Sequence, residues 1–210
     1  MGARPRLTQH RRLQALEAAR EVIAERGLAD TRIADVAERA GLSAALLLYY
    51  FKSKDNLLTD ALAFAEDRFY LETFHELAAV DGAKDRLVRL IELACPRDTS
   101  RSETGDWRLW LELWSRALRD PEAARKREAL DRRWRTTIAD IVRIGQRRGE
   151  FVGDQDPNEF AVRLAALIDG LALQVVLRDP EVTVETMRNL CLDMAQRELS
   201  FDALVRDRIS

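Results

Sequence analysis

A short stretch near the N-terminus combines cations and phenols in a spacing suited to an anionic polymer. Arg32 opens one short helical segment, and Lys52 and Lys54 follow a second one that contains Tyr49 and Tyr50. A cation in the first turn of a helix opposes the helix dipole, and Lys54 occupies such a position in the predicted helix that follows. An external anion such as a DNA phosphate would explain its placement. A solvated lysine is the alternative.

Two helices joined by a tight bend must position these groups. The sequence RIADVAERAGLSAALLLYYF predicts them, because Gly41 can adopt the positive φ of a sharp turn and Ser43 is a favourable N-cap. Ala37 allows close approach of the second helix, and Leu42 and Leu47 can fill the angle between the helices. The pattern predicts a helix-turn-helix, with an ordinary helical hairpin as the alternative.

The flanking segments complete a three-helix unit. The segment LTQHRRLQALEAAREVIAERGLADT has amphipathic periodicity upstream, and a further helix is predicted to begin at Ser53. Residues 1–12 contain four arginines and no acid, which predicts an unstructured basic arm suited to DNA, or simply a disordered terminus. Residues 1–60 contain ten basic and eight acidic residues, whereas the remainder of the chain is net negative.

Over residues 11–60 these motifs resemble the tetracycline-repressor (TetR) family of bacterial regulators. The resemblance implies that Tyr49 and Lys54 contact phosphates and that Ser43, Ala44 and Ala45 face a DNA groove. The chain departs from the family pattern, because two alanines follow Ser43 and a leucine precedes Tyr49 where a tyrosine is expected. The alanines offer methyl contacts, as to a thymine methyl, and no hydrogen bonds to bases.

Length and composition indicate a second helical domain. The chain has 210 residues, of which 47% are hydrophobic and 33% charged, and the sequence predicts domains at 1–52 and 53–210. No 18-residue apolar run or hydrophobic signal region is present, and the two cysteines have no disulfide or zinc spacing. We expect a reduced, cytoplasmic protein without membrane association. Two histidines and no nucleophile or phosphate-loop motif predict no catalytic, metal or cofactor site.

Four tryptophans suggest either a core or a ligand pocket. Trp107, Trp110 and Trp114 share one helical face, and Trp134 on the next helix could converge with them. A packed core, an aromatic pocket and a cation-binding cage are the three interpretations. From 107 to 180 the sequence is similar to effector domains of the betaine-operon repressor branch of the family, whose best-known effector is choline. Polar residues that could orient a ligand are His75, Arg116, Asp169 and Gln174.

A predicted helix rich in apolar residues is the candidate for self-association. It is apolar over more than half of its circumference and contains small residues that permit close approach. With the last predicted helix it could form an intermolecular four-helix bundle, as the resembled family does. Burial within one chain is the alternative. The predicted interface residues are Leu164, Leu167, Ile168, Leu171, Val175, Leu190 and Met194.

The sequence therefore predicts an all-α protein: a three-helix helix-turn-helix DNA-binding domain followed by an α-helical effector and dimerisation domain. The resemblance implies a homodimeric, ligand-responsive regulator of transcription. We expect a repressor that a small molecule releases from a palindromic operator in double-stranded DNA. The alternatives are a DNA-binding or protein-interaction module without a ligand, and a helical enzyme.

Overall fold

The computed structural model describes residues 3–95 and 103–201, and every helix or strand element in these ranges is an α-helix. Proline and glycine punctuate the chain between the helices, as the sequence pattern indicated. The helices are α1 (Ala3–Arg26), α2 (Ile33–Ala40), α3 (Ala44–Phe51), α4 (Lys54–Ala78), α5 (Ala83–Ala94), α6 (Glu103–Ala117), α7 (Pro121–Arg148), α8 (Pro157–Val176) and α9 (Val184–Leu199).

The chain divides into two compact units. The first comprises Met1–Phe69 with Thr104–Leu130, and the second comprises Tyr70–Glu103 with Asp131–Ser210. Helices α4 and α7 each continue from one unit into the other. The sequence predicts a boundary between residues 52 and 53 that separates the DNA-binding part from the rest of the chain. The two compact units are defined by packing instead, so this functional boundary stays a prediction.

In the first unit, α1 packs against α2 and α2 against α3. The predicted basic arm is corrected, because α1 already begins at Ala3. Its proline at position 5 lies in the first turn, where a missing backbone N–H costs little, and no glycine or proline follows until the helix ends. Arg12 of this segment donates to the Asp60 carboxylate at 2.6 Å and lies over the Phe51 ring.

In the second unit, α9 packs against both α8 and α5. Leu164, Ile168 and Leu171 of α8 are buried within this single chain. Side chains that fill the core of their own protomer have little surface left for a second copy, and the assignment of these three residues to the interface stays a prediction. Leu167, Val175 and Met194 are half-buried and Leu190 is 44% exposed, so these four retain accessible surface.

A long-range contact fixes the start of α5. The Glu150 carboxylate accepts hydrogen bonds from the backbone N–H groups of Ala83, at 2.6 Å, and Lys84, at 3.0 Å. Gly82 precedes them with φ 83°, a conformation that favours glycine. A carboxylate from a distant loop thus satisfies two N–H groups that no helical carbonyl can reach.

The ends of several helices agree with the sequence prediction. The sequence pattern predicts a helix from Pro121 to about Arg148, and α7 has these bounds, while α4 begins one residue after the predicted Ser53. It also predicts a last helix from about Val184 to Leu204, but α9 ends earlier, at Leu199, before a Ser200 with φ 51°. The polar segment 96–106, which the sequence predicts to be a loop, lies partly outside the described residues, and its last four residues belong to α6. Across the described ranges, no helix has the length and apolar character needed to cross a membrane.

Candidate DNA-binding surface and effector cavities

The bend between α2 and α3 has the conformation that its sequence predicts. Gly41 takes φ 61° and ψ 30°, and the Leu42 amide donates to the Ala37 carbonyl at 3.0 Å, which closes the end of α2. The Ser43 hydroxyl accepts from the Leu46 amide at 3.2 Å and caps α3. Two local devices therefore end one helix and begin the next within three residues.

One face of α3 is directed to solvent and is mostly apolar. Ala44, Ala45, Leu48 and Tyr49 are exposed, with exposed fractions of 42% for Leu48 and 69% for Tyr49. Their spacing places them side by side on the helix. The sequence analysis did not predict Leu48 as a DNA contact and noted only that it replaces an expected tyrosine. Its position four residues after Ala44 places it on the same helix face and could have indicated this role.

The remaining aromatic residues of α3 have different environments. Tyr50 is half-buried, and its ring contacts that of Tyr49 edge to face with centroids 5.6 Å apart. Phe51 is buried in the core of the first unit. Only Tyr49 therefore presents most of its side chain to a partner.

The cations of the first unit fall into two groups. Several arginines are paired with acids; Arg39, for example, contacts both Glu21 and Glu25, and its hydrogen bond to Glu25 raises the pKa of Arg39. By contrast, Arg32 and Lys54 make no ion pair with any side chain that the structure describes. These two cations therefore retain their charge for an external anion.

Lys52 is held in an unusual conformation. It ends α3 with φ 69° and ψ −37° although it is not glycine. Its ammonium donates to the Tyr49 carbonyl at 3.0 Å and lies 5.2 Å from the centroid of the Tyr49 ring. Beside it, the Ser53 hydroxyl accepts from the Asn56 amide and caps α4, which leaves Lys54 as the first residue of that helix.

Ion pairs connect the first turns of α4 to three other helices of the first unit. Asp60 accepts from Arg12 of α1 and from Lys126 of α7. Burial alone would lower the pKa of Lys126, but its carboxylate partners raise it above the ordinary value. Arg116 of α6 lies 3.2 Å from Asp55. A displacement of α6 or α7 would therefore strain contacts at the N-terminal end of α4.

The three tryptophans of α6 form a continuous row in the first unit. The ring centroids of Trp107 and Trp110 are 5.4 Å apart, and those of Trp110 and Trp114 are 5.3 Å apart. Arg127 places its guanidinium 5.1 Å from the centroid of Trp114. The Trp114 Nε1 is buried without a hydrogen-bond acceptor in the described part of the chain.

Trp134 belongs to the second unit, where it lines a cavity of about 250 Å³. Its ring is tilted against that of Tyr70 with centroids 5.5 Å apart, and Arg133 lies over the Tyr70 ring at 4.9 Å. The cavity is lined by Tyr70, Leu71, Thr73, Phe74, Arg133, Trp134 and Thr137. The prediction that all four tryptophans form one ligand site stays a prediction.

The predicted polar ligand residues lie outside this lining. His75 is exposed near the end of α4, next in sequence to the cavity residue Phe74. Asp169 is half-buried on α8, and Gln174 is exposed with its amide donating to the Gly170 carbonyl at 3.3 Å. None of the three is brought to the walls of the cavity described here. Their role in binding a ligand stays a prediction.

Two parts of the chain match models of known protein families. Residues 15–61 match the model of bacterial regulatory proteins of the tetR family, and residues 83–200 match the C-terminal domain of BetI-type transcriptional repressors. The HTH-type transcriptional regulator BetI 1 of Chromohalobacter salexigens is 29% identical over 191 residues, which cover 90% of this chain and 91% of that protein.

Two further relatives extend over most of the chain. The HTH-type transcriptional regulator BetI of Burkholderia thailandensis is 31% identical, covering 80% of this chain and 82% of that protein. A protein from Saccharomonospora viridis, solved in complex with choline, has 34% identity and a TM-score of 0.79 and covers 91% of this chain and 98% of its own. With a helix-turn-helix of the expected geometry and matches over both parts, this chain belongs to the TetR family of DNA-binding transcriptional regulators, with a C-terminal domain of the BetI type.

Proposed function

We propose that the protein is a homodimeric repressor that binds a palindromic operator and is released by a small organic effector. The observation that carries this proposal is the capped α2–α3 bend, which presents an exposed face of α3 beside Arg32 and Lys54, two cations without an ion pair among the described side chains. Two such faces related by a two-fold axis would enter successive major grooves about 34–36 Å apart. As a cytoplasmic regulator, the protein would meet its operator in the chromosome.

The DNA contacts divide into groove and phosphate contacts. Ala44 and Ala45 face the groove beside Leu48, where they can contact thymine methyl groups. The phosphate contacts come from polar and charged side chains around this face, and they fix the position of α3 without reading sequence. This set is Arg32, Tyr49, Tyr50, Lys52 and Lys54, whereas Ser43 faces the groove with the two alanines.

The dimer surface consists of the outward side of α8 and α9. Val162, Leu173 and Leu177 lie on one stripe of α8 and are exposed, as is Leu190 of α9. Glycine at 170 on the same stripe would let a second helix approach closely, since nothing lies within 4 Å of a Cβ built there. Together with Leu167, Val175 and Met194, these residues form a surface that favours a four-helix bundle between two protomers.

The effector would act on the orientation of the two α3 helices in the dimer. A ligand that binds one arrangement of the dimer better than the other shifts their populations by that difference in affinity. The Trp107, Trp110 and Trp114 row and the cavity beside Trp134 are the candidate contacts. The ion pairs of Asp60 support α4 as the connecting lever, because α1, α4 and α7 meet at this one carboxylate.

The experiment starts with the palindromes flanking the gene. Binding of the purified protein to each palindrome is measured by fluorescence anisotropy over a range of salt concentrations. Lys54→Ala should weaken binding to every sequence and lower the salt slope by about one unit. The same complex is then used to detect release by candidate effectors, with Trp110→Ala expected to abolish release while operator binding persists.

Oligomeric state is tested by sedimentation. The double variant Val162→Glu, Leu173→Glu places charges on the exposed stripe of α8 and should yield folded monomers with operator affinity near the non-specific level. Val152→Glu serves as the matched control, because Val152 is 79% exposed in the same unit and away from this stripe. A stable dimer of the double variant would place the interface elsewhere.

Two other functions compete with this proposal. An enzyme is disfavoured, because the relatives that cover most of the chain carry the names of transcriptional regulators. A DNA-binding module without a ligand is disfavoured by the cavity in the second unit. The release assay separates the second alternative from the proposal.

A further inference from the structure

Both cysteines of the chain meet where α5 packs against α9 in the second unit. Cys95 follows the last residue of α5, and Cys191 lies in the middle of α9. Both are free thiols without solvent exposure, and they share a hydrogen bond. The fold therefore brings two thiols that are far apart in the sequence into direct contact.

A second contact fixes the register of the two helices at this point. Arg188 of α9 lies 3.8 Å from the Glu92 carboxylate of α5. Each of these residues comes three positions before a cysteine, and positions three apart are neighbours on one helix face. The ion pair and the thiol pair are therefore successive contacts between two helices that run in the same direction. Helix packing, and not the rotation of a single side chain, holds the thiols face to face.

A thioether belongs to the same buried stripe of α9. Met187 comes one turn before Cys191 and is 1% exposed. Residues four apart lie one above the other on a helix, so Met187 and Cys191 point to the same side of α9. Two thiols and one thioether therefore lie in or beside a single buried contact between α5 and α9.

Sulfur ligands of these two kinds select soft metal ions. Thiolate and thioether sulfur favour Cu(I), whereas carboxylate, carbonyl and water ligands suit magnesium, calcium or manganese. Structural zinc sites almost always take four ligands. In the part of the chain that the structure describes, no group of three or more His, Cys, Asp or Glu side chains is placed to hold a metal ion. Cu(I) accepts fewer ligands than zinc, so two thiols and a thioether can complete its coordination.

The charges at this contact suit an anionic complex. A Cu(I) ion displaces one proton from each thiol, so the products are a bis-thiolate complex of charge −1 and two free protons. A buried anion needs a compensating charge. The guanidinium of Arg188 lies close enough to Cys95 for their charges to interact. Its five N–H donors allow Arg188 to face the sulfur atoms while it contacts Glu92.

We infer that Cys95 and Cys191 bind one Cu(I) ion between α5 and α9. The Met187 thioether supplies a third ligand, and Arg188 supplies the countercharge. None of these residues lines the cavity beside Trp134, so the metal site is separate from that candidate effector site. Copper affinity is measured on the protein alone, so the outcome is independent of operator binding and of release by an organic effector.

The test offers the full-length protein Cu(I) held by the coloured chelator bicinchoninate, without oxygen. The protein should remove one ion per protomer from the chelator, and X-ray absorption at the copper edge should show sulfur ligands alone. Loading is done on the native protein and also during refolding, so that slow access to a buried site is not taken for weak binding. No transfer of Cu(I) by either route would overturn the inference, as would coordination by nitrogen or oxygen.

Variants then identify the ligands. Cys95→Ala and Cys191→Ala should each weaken Cu(I) binding roughly 100-fold or more, because losing a ligand costs more than losing a neighbour of a ligand. Met187→Leu nearly conserves volume and should weaken binding roughly tenfold. Met194→Leu is the matched control, since Met194 is a half-buried thioether on the same helix. Unchanged affinity in both cysteine variants would overturn the inference, and an effect of Met194→Leu without one of Met187→Leu would overturn the thioether assignment.

The countercharge has its own pair of variants. Arg188→Gln should weaken Cu(I) binding roughly tenfold, as expected for a group that acts on the ligands. Arg197→Gln is the control, because the Arg197 side chain is 79% exposed on the same helix and contacts Asp193 instead. Equal Cu(I) affinity of the two variants would overturn the role of Arg188.

Two further measurements separate metal binding from effects on folding and identify the ion. Cu(I) should raise the unfolding midpoint of the wild type but not that of the cysteine variants, since a ligand stabilises only a protein that binds it. Calorimetry in buffers of different ionisation enthalpy should show release of about two protons per ion. Zn(II) should bind more weakly than Cu(I), and tighter binding of Zn(II) would overturn the choice of ion.

Discussion

Replacing Lys52 with glycine should stabilise the protein while weakening its binding to DNA. Lys52 adopts φ 69° and ψ −37°, a region that costs a non-glycine residue about 1–3 kcal/mol and that glycine reaches freely. Against this gain, glycine increases the entropy of the unfolded chain by about 0.4–1 kcal/mol. The contact of the ammonium with the Tyr49 ring adds a loss of about 0.5–1 kcal/mol at an exposed site, whereas its exposed hydrogen bond to the Tyr49 carbonyl adds little, because water takes its place.

The net effect follows from these three contributions. Taking the middle of each range, Lys52→Gly should be about 0.5 kcal/mol more stable, which raises the unfolding midpoint by roughly 1–2 °C for a chain of this size. Lys52→Ala removes the same ammonium but keeps a Cβ at positive φ. Glycine should therefore exceed alanine in stability by about 1 kcal/mol, measured by thermal unfolding of both variants.

The affinity for DNA should decrease in both variants. Both variants lack the cation, so both should lose about 0.9 from the slope of log affinity against log salt for one phosphate contact. Equal stability of the glycine and alanine variants would refute the assignment of backbone strain at Lys52. An unchanged salt slope in both variants would remove Lys52 from the DNA interface.

Three further predictions concern the groove, the fold and the thiols. Replacing thymine by uracil in a half-site should cost about 0.8 kcal/mol for each methyl that Leu48 and its neighbours cover, measured by anisotropy; no change at any thymine would exclude methyl contacts. Glu150→Ala should lower the unfolding free energy by about 1–2 kcal/mol through loss of the α5 cap, whereas Asp154→Ala in the same loop should change it little. A hydrogen bond with the Cys191 thiol, together with burial, raises the pKa of Cys95, so iodoacetamide should label these thiols only after unfolding; rapid labelling of the native protein would contradict this.

Features fixed by neighbouring residues in the sequence were predictable. The α2–α3 bend needs only a glycine that accepts positive φ and a serine that caps the next helix, and both act within a few residues. Helix α7 begins at Pro121 and ends before the turn at Gly149, as proline and glycine chemistry requires. Such signals do not depend on which distant helix packs against the segment.

Features fixed by distant packing were not predictable. Helix α8 is apolar over most of its circumference, so its sequence cannot tell the side that meets α9 from the side that meets solvent. In the structure Leu164 and Ile168 are buried in the protomer, whereas Val162 and Leu173 are exposed. The cap of α5 by Glu150 was likewise not predictable from the sequence, because its carboxylate lies 67 positions along the chain from the Ala83 amide that donates to it.

The aromatic residues show a third limit of prediction from sequence. The sequence shows that aromatic residues are present, but it does not show which side chains cover their faces. Tryptophan and tyrosine clusters favour a cationic ligand only while their faces are accessible. Here α7 places Arg127 over Trp114 in the first unit and Arg133 over Tyr70 in the second. Of these two rings, only that of Trp114 belongs to a residue that the sequence predicted to contact a ligand. The aromatic faces that a ligand can reach therefore depend on the arginines of α7 as much as on the tryptophans.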